Sequence, residues 1–167
     1  MIETIMEGGI ENINVVLGAY HDQITAILSD RLVKVLNNPQ WESGISSSIK
    51  TGVKNLNKNI DAVFIFVVDQ PFINSKLIKK IENLFHFTNA KIIANRVNGN
   101  QTHPVLFRID VAEKLLNLAD EQGGRQLIEQ NKVLWLDSIE NKFSLDIDSP
   151  EDLILLNQDH DHPNGPL

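Results

Sequence analysis

The chain has 167 residues, a formal net charge of −7 and no cysteine. A chain of this length fits one domain with a full buried core. Its 42% apolar and 22% charged residues are ordinary for a soluble globular protein. The lack of cysteine excludes disulfides, thiolate metal sites and cysteine nucleophiles. Nucleic acid is an unexpected partner, because its binding is dominated by phosphate neutralisation and this chain is acidic with scattered Lys and Arg.

The sequence gives no sign of a membrane span or of a secretory leader. No apolar run reaches the roughly 18 residues that a spanning helix needs. The first nine residues contain two Glu and no basic residue, unlike a signal peptide. We therefore expect a cytoplasmic protein without a membrane partner.

Short apolar runs rich in β-branched residues alternate with amphipathic stretches along the chain. The predicted strands cover residues 13–17, 32–36, 62–68, 91–95, 105–107, 133–136 and 143–147. The predicted helices cover residues 20–28, 46–56, 75–87 with Ser75 as cap, 110–118 and 125–130, and a last helix begins at Pro150. This alternation indicates one α/β domain over residues 1–157, with a mostly parallel sheet. Residues 158–167 are polar and predict a disordered tail.

The most apolar strand, residues 62–68, leads directly into Asp69, Gln70 and Pro71. A continuously apolar run suits a central parallel strand covered on both faces. Ligands of open α/β sheets bind beyond the carboxyl ends of the strands. Asp69 is therefore well placed to hold a metal or a phosphate, although a turn-capping role fits the spacing equally well.

A second acidic segment has the sequence LDIDSPED. In an extended chain Asp146 and Asp148 lie on the same side, where two carboxylates can share a hard cation such as Mg²⁺. Helix capping is the competing interpretation, with Asp148 or Ser149 as the cap and Glu151 and Asp152 near the helix N-terminus. Capping is favoured for Glu151 and Asp152, whereas Asp146 lies too far upstream for it.

Three further segments contain polar groups that could face a ligand. Gly44 and the serines at 46–48 precede a predicted helix, where N–H groups and hydroxyls could meet an anion or a base edge. Ordinary capping explains them more simply. His103 enters a strand, where a buried structural role is the simpler one. Gly124 and Arg125 could receive a phosphate or form a plain capping loop.

The chain resembles the MobA/MocA-like nucleotidyltransferases in five segments taken in order: WESGISSSIKTGV, VFIFVVDQP, THPVLF, DEQGGRQLI and LDIDSPEDL. The nearest branch is the cytidylyltransferases that modify molybdopterin, and the resemblance covers about residues 13–156. It implies a Rossmann-like sheet of the nucleotide-diphospho-sugar transferase fold, with helices on both faces. It also implies Mg²⁺-dependent attack of a phosphate oxygen on the α-phosphate of an NTP, releasing pyrophosphate.

The resemblance also implies partners and residue roles. CTP is the favoured nucleotide, a phosphate-bearing molecule such as molybdopterin is the acceptor, and a molybdoenzyme or its chaperone would be a protein partner. The metal and catalytic positions are Asp69 and Asp146, with Asp148 as the other candidate carboxylate. The nucleotide-binding positions are Gly44, Ser47, Ser48 and Gln70. The acceptor-binding positions are His103, Pro104 and Arg125. A phosphate acceptor needs no general base or covalent nucleophile.

Two positions depart from the family pattern. Thr102 stands where the family usually has Gly before the His-Pro pair, a change that could be confined to a turn. The family also opens with a strand and a loop of the form LAAGxSxRMGxxK, which nothing in residues 1–9 matches. Residues 1–7 look like the end of the helix that follows this loop.

We therefore expect the first strand and helix of the fold to be missing. The missing strand would be central, between residues 13–17 and 62–68. Without it and the loop, we expect poor NTP binding, no activity in the chain as it stands, and no stable monomer. The alternative function is a noncatalytic binding module with the same fold.

Overall fold

The structure, a computed structural model, describes residues 1–117, 124–149 and 151–152. Its strands are β1 (Asn14–Leu17), β2 (Lys34–Asn37), β3 (Ala62–Ile65), β4 (Ile92–Val97), β5 (Asn100–Arg108) and β6 (Val133–Ser138). Its α-helices are α1 (Ile2–Glu7), α2 (His21–Leu28), α3 (Ile45–Lys54), α4 (Ser75–Phe87), α5 (Ile109–Ala112) and α6 (Arg125–Gln130). Its 3₁₀ turns are Trp41–Ser43, Glu113–Asn117 and Asn141–Ser144. Pro150 and the tail 158–167 lie outside the described residues.

The predicted α/β alternation is confirmed, with three local differences. The strand predicted over 62–68 is β3, which ends at Ile65, lies at the edge of its described sheet and pairs antiparallel with β5. The predicted strand 143–147 begins inside a 3₁₀ turn, because Phe143 N–H donates to the Glu140 carbonyl at 3.1 Å and Ser144 Oγ donates to the Asn141 carbonyl at 2.8 Å. The predicted helix 110–118 is one α-helical turn followed by a 3₁₀ turn. In the described part of the chain, no helix is both long and apolar enough to cross a membrane.

The described strands form two sheets. β1 and β2 pair in parallel, and the other four strands have the order β3-β5-β4-β6. β4 and β6 are parallel, whereas β5 runs antiparallel to both of its neighbours. The cause is the turn between β4 and β5, where Asn98 has φ 51° and Gly99 has φ 82°. Positive φ at two successive residues, one of them glycine, makes a tight hairpin.

Helix α3 spans the space between the two sheets. A Cβ on Gly52 would lie 3.5 Å from Val16 of β1. Val53 of the same helix packs with Val63 and Ile65 of β3. Within the described residues, β1 and β3 belong to different sheets and are not hydrogen-bonded to each other.

Both faces of the four-stranded sheet are covered by helices. Successive side chains of a strand point to opposite faces, and in β4 Ile93 packs with Ile78 and Ile81 of α4. Its neighbour Ile92 packs on the other face with Leu115 and with residues of α3, α5 and α6. Ile92 and Ile93 are both completely buried. Because both faces of this sheet are packed, the carboxyl ends of its strands and the loops that follow them are held in place.

Helix α1 contacts α4 through Gly8, and this contact generates a stability prediction. A Cβ on Gly8 would lie 2.7 Å from Ile78 Cγ2, and Ile78 is completely buried. We expect Gly8→Ala to lower the free energy of unfolding by about 1–3 kcal/mol through overpacking. Gly52→Ala is the matched control, because its Cβ would meet Val16 at an ordinary distance and alanine favours a helix by about 0.5–1 kcal/mol. Urea unfolding measures both, and equal losses would contradict the close approach at Gly8.

Candidate active site

Gln70 joins three segments of the chain beyond the end of β3. Its Nε2 donates to Asp146 Oδ1 at 2.8 Å, and its Oε1 accepts the backbone N–H of His103 at 2.8 Å. Next to it, the backbone N–H of Ile147 donates to the Asp69 carbonyl oxygen at 2.8 Å. The residues that follow β3, the start of β5 and the segment around Asp146 are thereby held side by side.

The influences on the pKa of His103 also indicate that these three segments lie close together. Burial lowers the pKa of His103 below its ordinary value, while the charges of Asp69 and Asp146 oppose this by raising it. The imidazole is therefore neutral near pH 7, and both carboxylates are close enough to act on it. Each of them is exposed to solvent.

The metal role of Asp69 and Asp146 stays a prediction, and their side chains are of the right chemical type for a hard divalent cation. Carboxylate oxygens are the protein ligands of Mg²⁺, which typically binds one or two of them and completes its shell with waters and substrate phosphates. The Gln70 amide engages Oδ1 of Asp146 and keeps that carboxylate in place. Among the described residues, no group of three or more His, Asp or Glu forms a metal site by itself. Two carboxylates with open access suit an ion that arrives with a nucleotide.

Asp148 lies in a different local structure from Asp146. The Asp152 carboxylate accepts the backbone N–H of Asp148 at 3.0 Å, and the backbone N–H and hydroxyl of Ser149 at 2.8 and 2.9 Å. These bonds, the Ser149 hydroxyl first, lower the pKa of Asp152 below its ordinary value. Asp152 N–H donates back to Ser149 Oγ at 3.3 Å, which makes a capping box. The capping interpretation of Asp152 is confirmed, and a metal role for Asp148 stays a prediction.

The predicted nucleotide-binding serines are organised by a residue that the sequence did not single out. Asn38 Nδ2 donates to Ser47 Oγ at 2.8 Å and to Ser48 Oγ at 3.0 Å. Ser47 is buried and its hydroxyl donates to the Gly44 carbonyl at 2.8 Å, whereas Ser48 is half-buried. Gly44 has φ 98° at the start of α3, a conformation that favours glycine. Ser48 is the more accessible of the two hydroxyls.

The predicted acceptor-side residues come together around one cavity. His103 and Arg125 both line a cavity of about 180 Å³ between α3, β5 and α6. Pro104 is buried beside them and follows a cis peptide bond. Arg125 Nε donates to Glu129 Oε1 at 3.0 Å, and its side chain is largely exposed. His103 therefore lies between this cavity and the carboxylate pair.

Thr102 belongs to a buried polar network and not to a turn. It lies within β5 and its hydroxyl accepts a hydrogen bond from Asn95 Nδ2 at 2.7 Å. Ser138 Oγ donates to Asn95 Oδ1 at 2.5 Å. Asn95 is completely buried at the register shift of β4, where no sequence pattern indicates it. Asn38 could have been found from the sequence. It directly follows strand β2, just as Asp69 directly follows the predicted strand 62–68.

The convergence on His103 can be tested without any activity. We expect Asp69→Asn and Asp146→Asn each to lower the pKa of His103 further, because each removes a negative charge that stabilises the imidazolium. Asp110→Asn is the control, since Asp110 pairs with Lys91 beyond the opposite end of β5. NMR titration of the His103 imidazole measures all three. A His103 pKa that is unchanged in both site variants would show that the carboxylates do not meet there.

The chain resembles solved structures in fold. It is 16% identical to Rv0371C from Mycobacterium tuberculosis H37Rv, solved in complex with manganese, with a TM-score of 0.78 over 94% of this chain and 83% of that one. It is 18% identical to 4-diphosphocytidyl-2C-methyl-D-erythritol synthase from Anaerococcus prevotii, with a TM-score of 0.73 over 96% and 84%. For molybdopterin-guanine dinucleotide biosynthesis protein A from Archaeoglobus fulgidus, the identity is 11% and the TM-score 0.62 over 87% and 78%. Identities this low show the fold alone.

Sequence comparison gives the family directly. A search of curated proteins finds no match. The family model described as "MobA-like NTP transferase domain" matches residues 1–134, which is most of the chain. The predicted resemblance is thereby confirmed, and the chain belongs to the MobA-like NTP transferase domain family of nucleotidyltransferases.

Proposed function

We propose that this site transfers a nucleoside monophosphate from an NTP to a phosphate-bearing small molecule. The observation that carries the proposal is the convergence of Asp69, Asp146 and His103 around the Gln70 amide. CTP is the favoured nucleotide and molybdopterin the example of an acceptor, both on the resemblance of the sequence motifs. The manganese complex of the mycobacterial relative supports a divalent cation in this reaction.

The proposed chemistry needs no acid or base from the protein. An oxygen of the acceptor phosphate attacks the α-phosphorus of the NTP and a new P–O bond forms. The bond from the α-phosphorus to the bridging oxygen breaks, and pyrophosphate leaves with the electron pair. Because the attacking phosphate is already ionised, positioning and charge neutralisation account for catalysis. Mg²⁺, when bound, supplies neutralisation of the phosphate charge.

Some residues of this chain would hold the ion, and others would bind the substrates. Asp69 and Asp146 would hold Mg²⁺, with Asp146 oriented by Gln70. Ser48, at the start of α3, would bind the nucleotide together with Gly44, Ser47 and Gln70. The acceptor phosphate would meet Arg125 and the neutral His103, beside Pro104.

A noncatalytic nucleotide- or ligand-binding module is the second candidate. It is favoured by the cavity of about 180 Å³ lined by His103 and Arg125, which can hold a ligand without any transfer step. The two candidates differ in turnover. Measurable NTP affinity without pyrophosphate release, even when a glycine-rich loop is supplied, would favour the module.

The metal role of Asp69 is tested by pyrophosphate release. The assay uses the chain with the first strand and glycine-rich loop of a MobA-like relative fused before Met1, in the presence of Mg²⁺ and CTP or GTP. We expect Asp69→Asn to reduce turnover by at least about 100-fold, because it removes a ligand of the ion that neutralises the developing charge, and loss of one such preorganised stabilising group costs about 100-fold or more. Asp110→Asn, remote from the site, should keep full turnover. The unfolding curves of both variants should match the curve of the unsubstituted protein. Substantial turnover in Asp69→Asn would rule out the metal role.

The role of Ser48 is tested by nucleotide affinity in the same fusion. Loss of one hydrogen bond is worth about 0.5–1.5 kcal/mol, so Ser48→Ala should weaken the Kd for CTP by roughly 3- to 10-fold. Ser29→Ala is the control, since its hydroxyl donates to the Ala26 carbonyl at the end of α2. Calorimetry measures both variants. An unchanged Kd in Ser48→Ala would return this serine to a purely structural role with Asn38.

A further inference from the structure

The cavity between α3, α6 and the four-stranded sheet has mainly apolar walls. Large apolar side chains supply six of the ten described residues that line it. Val105 and Phe107 of β5 are each 1% exposed and Ile128 of α6 is 7% exposed. Ile49 of α3 and Ile65 of β3 complete the inner walls. These side chains offer a bound molecule contact but no hydrogen bond.

The apolar walls and the volume of the cavity together limit which ligands it can bind. Burying a polar group where nothing can pair with it is costly, so the buried part of a ligand must be apolar. A cavity of about 150 Å³ in an apolar core is large enough for benzene. The cavity here measures about 180 Å³. One six-membered ring is therefore of a size that the cavity can hold.

The polar groups of the cavity are few and lie next to the proposed reaction centre. Among its described lining residues, only Gln101, His103 and Arg125 have polar side chains. The Arg125 side chain is largely exposed and uses its Nε for Glu129. A guanidinium has five N–H donors, so others can face an anion. His103 lies between the cavity and the two carboxylates that act on its pKa.

We propose that the cavity binds a compact apolar group, such as a six-membered ring, of a small-molecule phosphate whose phosphate is held by Arg125 and His103. The inference rests on the proposed function, because it takes this molecule to be the acceptor of the nucleotidyl group. It narrows the acceptor class to phosphates that also carry an apolar group.

Phenyl phosphate is the probe that tests the fit. Its Kd is measured by calorimetry on the 167-residue chain without NTP or metal, next to that of inorganic phosphate. We expect phenyl phosphate to bind at least about tenfold more tightly than inorganic phosphate, because the ring leaves water.

Variants at the cavity mouth locate the binding. Ile45 lines the mouth and is 51% exposed, so Ile45→Trp fills the cavity with little demand on the core. This variant should bind phenyl phosphate no more tightly than inorganic phosphate. Ile27→Trp on α2, at a position 76% exposed and outside the lining, is the control and should keep the tighter binding of phenyl phosphate. Arg125→Gln should weaken phenyl phosphate and inorganic phosphate by a similar factor.

The outcomes separate this inference from the proposed function. If phenyl phosphate binds no more tightly than inorganic phosphate, or if Ile45→Trp leaves its Kd unchanged, the cavity inference is wrong. Neither NTP nor transfer enters the measurement. Tight phenyl phosphate binding in a protein that never releases pyrophosphate would uphold the cavity site and refute the transfer reaction.

Discussion

The side-chain amide of Gln70 holds together segments that are 33 and 76 residues apart along the chain. A primary amide suits this place, because it has both a donor and an acceptor and can bind a backbone N–H and a carboxylate at once. It is also uncharged. A Lys or Arg in its place would neutralise Asp146, whereas Gln70 fixes that carboxylate and leaves its negative charge available to a cation. The proposed metal site depends on this neutral link.

The position of Gln70 depends in turn on the backbone of His103, and so on the strand that contains it. The segment before His103 is fixed by Asn95, which bonds Thr102 and Ser138 across three strands. A completely buried amide that loses its partner costs about 1–3 kcal/mol. Thr102 supplies that partner, which a glycine could not. The departure from the family pattern at Thr102 thus supplies the hydrogen-bond partner of Asn95 in this chain.

The parts of this structure that the sequence predicted are those governed by local patterns. Helix α4 has the predicted bounds because its apolar positions repeat at the helical period, although the cap is Asn74, whose side chain accepts from Leu77 N–H, and not Ser75. Asn98 and Gly99 before β5 are a local signal for an antiparallel hairpin, although the strand predictions did not use it. The contact of Gln70 with Asp146 has no local signal. Only the family resemblance predicted, from the sequence, that these two segments belong to one site.

The two halves of the site have opposite requirements, and His103 satisfies both. Asp69 and Asp146 need access to solvent, because a buried pair of like charges would take up a proton before it met a cation. The proposed binding in the cavity needs the reverse, since its affinity would come from apolar surface removed from water. A charged imidazole at the boundary would bring its own hydration into the cavity. Because burial keeps His103 neutral, the imidazole can close the apolar side while its backbone anchors the polar side through Gln70. A substrate with a compact apolar group and an ionised phosphate matches this division, one end on each side of the same residue.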